Sequence, residues 1–501
     1  MTQKLDVLLV TPPSRDIVFQ DLGKNLTAIE PPVWSTLMAT FLLRKGVSVE
    51  ILDAEAESLG FNATASRVVD TGALLTVFVI YGHQPSASTQ CMPAGRAVVQ
   101  LVCREAPHLN TMVMGTHASA LPERTLLEEP YTFVCQGEGP HTVLGLLQAL
   151  EAGSNQFEKV PGLWYLKNGT ACSSPVAENI ADLVEEIPSQ AWELLDMSRY
   201  RAHNWHCFDH IDHRQPYASL QTSLGCPYKC SFCCINTPFG GPGIRYWSPQ
   251  SIINQIDLLV NSYGIKNIKV PDEMFVLNEQ HVMGICDLII ERGYDLNIWA
   301  YARVDTVKDR YLEKLKKAGF NWLALGVESG SKYVRDGVEK GRFGDTDIVK
   351  TTDKIKEHGI YIIANYIFGL PDDTRPSMQE TLDLALEINA EWANFYCAMA
   401  YPGSPLYERA RELGQPLPDD ECGPGWIGYS QHSYECMPLP TDTLSGQEVL
   451  DFRDAAFDKY FTHSPLQSMV RDRFGQQLVD HINSMVSIKI TRKHRDAINN
   501  V

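Results

Sequence analysis

A chain of 501 residues, 44% hydrophobic and 21% charged, has room for two or three domains and the composition of a folded globular protein. Its formal net charge of −18 argues against a polyanion as partner, because the one basic run, 489–495, is short and reads as a solvated helix end. No stretch approaches the roughly 18 uncharged apolar residues of a membrane span, and Met1-Thr2-Gln3-Lys4-Leu5-Asp6 shows no signal-peptide pattern; a cytoplasmic protein with no nucleic-acid or membrane partner is expected.

Residues 1–152 alternate short apolar runs (6–10, 47–52, 74–81, 111–114 and 132–135) with helical patterns such as 33–45 and 87–105. This alternation predicts an α/β domain with a Rossmann-like, doubly wound parallel sheet, whose ligands sit beyond the carboxyl ends of the strands. Those ends carry Thr11-Pro12-Pro13, Tyr81-Gly82-His83, Gly115-Thr116-His117 and Gln136-Gly137-Glu138-Gly139. A single glycine there reads as a tight turn; four such loops on one edge outline a binding crevice.

Residues 153–215 read as a connector with a hairpin around 163–170 and an acidic stretch before Pro188. His203, His206, His210 and His213, with Cys207, follow. Imidazoles suit zinc or iron, but this spacing matches no compact zinc signature, and lining of a cleft is the favoured reading.

From 216 to 400 a second alternation has longer units. Strands are predicted at 217–224, 268–271, 296–303, 322–327, 360–368 and 392–400, with helices at 249–263, 278–292, 309–317, 346–358 and 376–389. Six β/α units make a partial barrel, short of the eight that close one. Residues 401–501 begin rich in Pro, Gly, Tyr and Trp and return to helical periodicity at 446–485. They predict a mostly helical accessory region over the barrel mouth, in which Trp426, Tyr429, His432 and Tyr434 either contact a ligand or pack a loop.

Thirteen cysteines, an odd number without a leader, do not suggest a disulfide framework. Four of them fall between Cys226 and Cys234. In Cys226-Pro227-Tyr228-Lys229-Cys230-Ser231-Phe232-Cys233, just after the first barrel strand, three thiolates spaced +4 and +3 can converge on one soft metal centre. A structural zinc would need a fourth ligand, and Cys234, adjacent to Cys233, is expected to point elsewhere. On a 4Fe–4S cube, three ligands leave one iron open for a substrate or cofactor.

This segment resembles the radical S-adenosylmethionine (SAM) superfamily, whose hallmark is CxxxCxφC with an aromatic φ, here Phe232. The resemblance implies that Cys226, Cys230 and Cys233 hold a 4Fe–4S cluster, whose open iron chelates SAM and on reduction cleaves it to a 5′-deoxyadenosyl radical. It also implies SAM contacts from Asp272 and Glu273 in Val270-Pro271-Asp272-Glu273, from Arg303, from Glu328 in Gly326-Val327-Glu328-Ser329-Gly330-Ser331, and from Gly369 in Phe368-Gly369-Leu370-Pro371.

The preceding α/β domain, with 115–122, 137–142, 161–163, 186–188 and 402–407, resembles the cobalamin-binding class of that superfamily over about residues 5–410. Cobalamin contacts are then expected from Thr11, Pro12, Gly82, Gly115, Thr116, His117, Gly137 and Glu138, although the DxHxxG loop that gives cobalt a histidine in many cobalamin proteins is absent. The expected activity is methylation of an unactivated carbon of a small metabolite, with methylcobalamin as methyl donor and a flavodoxin or ferredoxin as electron donor. A radical SAM cyclase or rearrangement enzyme, and a non-catalytic zinc scaffold, are the rival readings.

Overall fold

The computed structural model describes residues 5–499 except His83, Pro85 and 341–343. The first sheet contains β1 (Val7–Thr11), β2 (Val49–Asp53), β3 (Leu75–Val79), β4 (Thr111–Met114), β5 (Phe133–Cys135), β6 (Leu163–Lys167) and β7 (Thr170–Ser173), in the order β2-β1-β3-β4-β5-β6-β7. The first five run parallel, and the central strand Leu75-Thr76-Val77-Phe78-Val79 is buried at every position, as a strand covered on both faces must be. Helices Val33–Arg44, Ala87–Glu105 and Pro140–Glu151 supply the flanking layers.

One boundary differs from the sequence reading. The hairpin β6–β7, read as part of a connector, pairs antiparallel onto β5, with Phe133 opposite Tyr165 and Cys135 opposite Leu163. It covers backbone that β5 would otherwise leave unpaired at a sheet edge. The rest of the connector wraps the base of the second domain, where Trp205 packs edge-on against Trp299 and Trp322 at 5.2 and 5.7 Å. His206 beside it is spent on the Asn297 carbonyl at 3.0 Å, and among the described residues no three His, Cys, Asp or Glu side chains are grouped to hold a single metal ion.

The second sheet begins with β8 (Tyr217–Ser219). The predicted first strand then breaks, and β9 (Ser223–Leu224) pairs instead with β10 (Arg245–Tyr246) in a small antiparallel ribbon. The break has a local cause: the Thr222 amide and the Thr222 and Ser223 hydroxyls turn to donate to Asp272 at 2.5–2.7 Å. Strands β11 (Asn267–Val270), β12 (Asn297–Arg303), β13 (Phe320–Glu328), β14 (Tyr361–Phe368) and β15 (Trp392–Cys397) complete a six-stranded parallel sheet, order β15-β14-β13-β12-β11-β8. It is an open barrel. Helices Pro249–Tyr263, Glu279–Arg292, Asp309–Lys317, Asp345–Glu357 and Arg375–Ile388 cover its outside.

The C-terminal region does more than cap the mouth. Helix Gly446–Phe461 lies along the last strand, with the Arg453 Nε donating to the Phe395 carbonyl at 2.7 Å and Tyr460 to that of Ala390 at 2.6 Å. The turn Trp426–Tyr429 reaches back to the first domain, where the Trp426 indole donates to Glu129 and Arg124 pairs with Asp419.

Candidate active site

The cysteine loop is fixed from several sides. Gly225 adopts φ +90°, and a Cβ there would stand 2.5 Å from the Gly243 carbonyl, so no other residue fits. The Asn236 side chain accepts from the Cys226 amide at 3.2 Å and donates to the Tyr228 carbonyl at 3.0 Å. The Ser231 amide donates to the Val338 carbonyl and its own carbonyl accepts from the Leu406 amide. Cys226, Cys230 and Cys233 all line one cavity with Phe232, Glu273, Arg303, Glu328 and Lys340; Cys234 lines it too.

Burial pushes the Cys226 thiol up to about 11 and that of Cys233 well above its ordinary value. Thiols so placed become thiolates only when a cationic centre offsets the desolvation. Cys234, expected to point elsewhere, shares this wall, but among the described residues no three such side chains are drawn together tightly enough for one ion. Cysteines spread round a cavity that also holds Arg303 suit the corners of a cube better than the tight shell of one ion.

Arg303 comes from the carboxyl end of β12. Its fork is taken by Asp305 (2.9 and 3.0 Å), its plane lies 4.0 Å from the Tyr228 ring, and Nη1 is 3.8 Å from Cys230 Sγ. Lys340, which the motifs did not flag, is buried here and bonds to Glu328 at 2.5 Å. Glu273 lines the cavity with no hydrogen bond within the described residues, and burial raises its carboxyl to about 7.

Two expected SAM contacts are placed elsewhere. Asp272 is fully buried behind the wall, holding the turn at Thr222 and Ser223. Gly369 packs against Val449, which a Cβ would meet at 2.5 Å, and its amide donates to Asp373.

A second cavity lies in the crevice between the carboxyl edge of the first sheet and the barrel. Thr11, Gly82 and Thr116 line it, facing Gln221, Gly225 and Glu273. Trp34 stacks on Tyr81 at 4.2 Å and leans on Phe239 at 6.0 Å. The Thr11, Ser35, Tyr81 and Thr116 hydroxyls in this wall are buried without a hydrogen-bond partner among the described residues. Orphaned hydroxyls beside flat apolar surface fit a large amide-rimmed ring system such as cobalamin.

The other expected cobalamin residues are not in this lining. Pro12 is buried next to Thr11, and His83 lies outside the described residues. Gly115 is a close-approach position, where a Cβ would meet the Ile80 carbonyl at 2.0 Å. His117 packs against Trp426 at 4.4 Å, 3.3 Å from Thr89 Oγ1, and burial lowers it to about 3, so it is neutral. The Gly137 amide donates to Ser119, and Glu138 pairs with Arg245 and the Ile180 amide. These residues fasten β4 and β5 to the rest of the molecule.

A third cavity fills the barrel lumen. It shares Tyr301, Asn365, Tyr396, Tyr401 and Gln431 with the cysteine cavity. His203 and His432 line it; Trp426 and Tyr429 are buried outside it, and Tyr434 is exposed. Of the residues that the motifs missed, Lys269 had a legible signal: a lysine inside the buried strand β11.

Residues 220–385 match the radical SAM superfamily model, so this segment is a radical SAM domain. Residues 20–147 match the B12 binding domain, so a B12-binding domain precedes the radical SAM domain. An uncharacterized methyltransferase of Pyrococcus horikoshii is 29% identical over 412 residues, 81% of this chain and 83% of its own. The anaerobic magnesium-protoporphyrin IX monomethyl ester cyclase of Cereibacter sphaeroides is 23% identical over 440 residues, 86% of this chain and 66% of its own. The radical SAM methyltransferase TsrM from Kitasatospora setae, solved with cobalamin and a [4Fe-4S] cluster bound, shares the fold at 17% identity and a TM-score of 0.66, over 92% of this chain and 89% of that one. The two matched domain models imply a 4Fe–4S cluster, SAM and cobalamin as the cofactors.

Proposed function

We propose that the chain is a cobalamin-dependent radical SAM methyltransferase that methylates an unactivated carbon of a small molecule. One observation carries the reading: the cysteine cavity and the crevice share Gln84, Ile235 and Glu273 in their walls, so ligands held by the two domains open on the same space. When bound, the cluster with SAM supplies radical chemistry and cobalamin supplies a methyl carrier.

The chain's residues supply the holding and the shielding. Cys226, Cys230 and Cys233 are the cluster ligands, and Phe232 packs the loop between them. Arg303, held by Asp305 and Tyr228, keeps a fixed positive charge beside Cys230. Lys340 and Glu328 form a buried pair whose orientation is set before ligands arrive. Glu273, raised to about 7, can hold or release a proton at its carboxyl oxygen where the two cavities meet. The indole stack on Tyr81 and the orphaned hydroxyls seat the corrin side. A cytoplasmic flavodoxin- or ferredoxin-type protein is the electron donor that this chemistry calls for.

The test is anaerobic reconstitution with SAM and cobalamin. Iron at about four per chain, with S-adenosylhomocysteine and 5′-deoxyadenosine both formed, supports the reading. 5′-Deoxyadenosine alone would move the chain to the cyclase class, and zinc without iron would refute both.

A further inference from the structure

The barrel lumen has a chemical character of its own. Its walls are aromatic: Trp205 and Trp299 at the base, Tyr301 and Tyr396 at the neck toward the cysteines, Phe395 along the side. One end is cationic. Arg453 is only 5% exposed, yet it spends three of its five N–H donors, on the Phe395 carbonyl (2.7 Å), Asp454 (2.9 Å) and His432 Nε2 (3.2 Å). Asp454 is also shared with Arg492 at 3.0 Å and Arg495 at 3.1 Å, so it does not neutralise Arg453 alone.

His432 adds a neutral donor to the same end. Arg453 can only donate, so Nε2 of His432 accepts and its proton sits on Nδ1. Burial and the two neighbouring guanidinium groups keep the ring uncharged. At the opposite end the charges cancel, because Lys269 meets Glu30 at 2.8 Å with both side chains almost fully buried. At the neck the Tyr301 and Tyr396 hydroxyls have no hydrogen-bond partner among the described residues.

We propose that the lumen is a substrate chamber selective for a planar aromatic or conjugated molecule bearing a carboxylate, with the carboxylate read by Arg453 and His432. The plane of the substrate stacks along Trp299, Phe395 and Tyr396, and the far end of the molecule projects past Tyr301 toward the cysteine cavity. An anion there uses donors that the fold leaves unspent and cancels an unbalanced positive charge; a cation would meet the same charge with nothing to offset it. The inference rests on the methyltransferase reading only for the name substrate; the binding preference stands on the chamber itself.

Equilibrium dialysis of the reconstituted full-length enzyme against cinnamate, cinnamamide and cyclohexanepropionate tests it. Cinnamate should bind saturably and at least about tenfold more tightly than the uncharged amide, as expected where a buried charged hydrogen bond is gained or lost. It should also bind more tightly than the saturated acid, which keeps the carboxylate but has no flat conjugated face to stack. Arg453→Gln should erase the acid-over-amide preference, and Arg453→Lys should retain part of it. Equal binding of acid and amide by the unaltered enzyme, or a preference that survives in a folded Arg453→Gln variant, overturns the proposal. The unaltered enzyme decides the matter even if Arg453→Gln does not fold. Iron content and 5′-deoxyadenosine formation, measured on the same preparation, report the parent reading separately: their absence refutes the enzyme class without touching the binding preference.

Discussion

Glu138 offers the sharpest test of the site geometry, because the sequence resemblance and the structure assign it different work. The resemblance makes it a cobalamin contact; the structure makes it a fastener between the first domain, the connector and the ribbon that follows the cysteine loop. Its carboxylate, 4% exposed, accepts from Arg245 Nη2 at 2.8 Å and Nη1 at 3.2 Å, and from the buried Ile180 amide at 2.8 Å. Glu138→Ala strands that amide, at a cost of about 1–3 kcal/mol. Arg245 is a quarter exposed and can turn to water, so its loss adds only about 1 kcal/mol. The expected destabilisation is therefore about 2–4 kcal/mol, roughly halved in Glu138→Gln, which keeps one acceptor. The assay is the urea midpoint of the anaerobic protein with and without cobalamin, read by far-ultraviolet circular dichroism. Both midpoints should fall together. An unchanged midpoint with loss of bound cobalamin would show that the carboxylate serves the cofactor, and the reasoning fails.

Alanine at Cys226, Cys230 or Cys233 should abolish both iron binding and SAM cleavage, whereas Cys234→Ala should retain the cluster; loss of iron in the Cys234 variant would show that the ligand set is misassigned. Arg303→Lys removes the fork that Asp305 orients and should lower SAM cleavage at least about tenfold with iron content unchanged; a rate within twofold of the unaltered enzyme would discount its positioning role. Burial raises the Asp53 carboxyl from 3.8 to about 7, against the opposing bonds from the Ala56 amide and the Tyr200 hydroxyl. Its folded value exceeds its unfolded one, so the stabilisation is full below 3.8 and is lost as pH rises through about 7. Asp53→Asn should flatten that decline in thermal midpoints, and an unaltered slope contradicts the assignment.

What the sequence determined by itself was what local periodicity and short spacing encode. Thr111–Met114, Ala87–Glu105, Pro249–Tyr263 and Asp309–Lys317 were readable to the residue, because burial alternation and helical repeats are properties of neighbouring positions. The cysteine loop was legible for the same reason: its three thiols lie within eight consecutive residues. Tertiary structure decided the rest. β6 and β7 read as a connector because nothing in their own sequence reveals that β5 has an edge to cover. Glu138, His117 and Asp272 sit where motif position predicts a ligand, yet each is taken by a partner distant in the chain: Arg245, Trp426, and Thr222 with Ser223. The lumen gathers Glu30, Lys269 and Arg453 from three separate regions, and no spacing rule links them. Chemistry confined to one loop is written in sequence order, while a chamber wall exists only once distant strands and helices have packed around it.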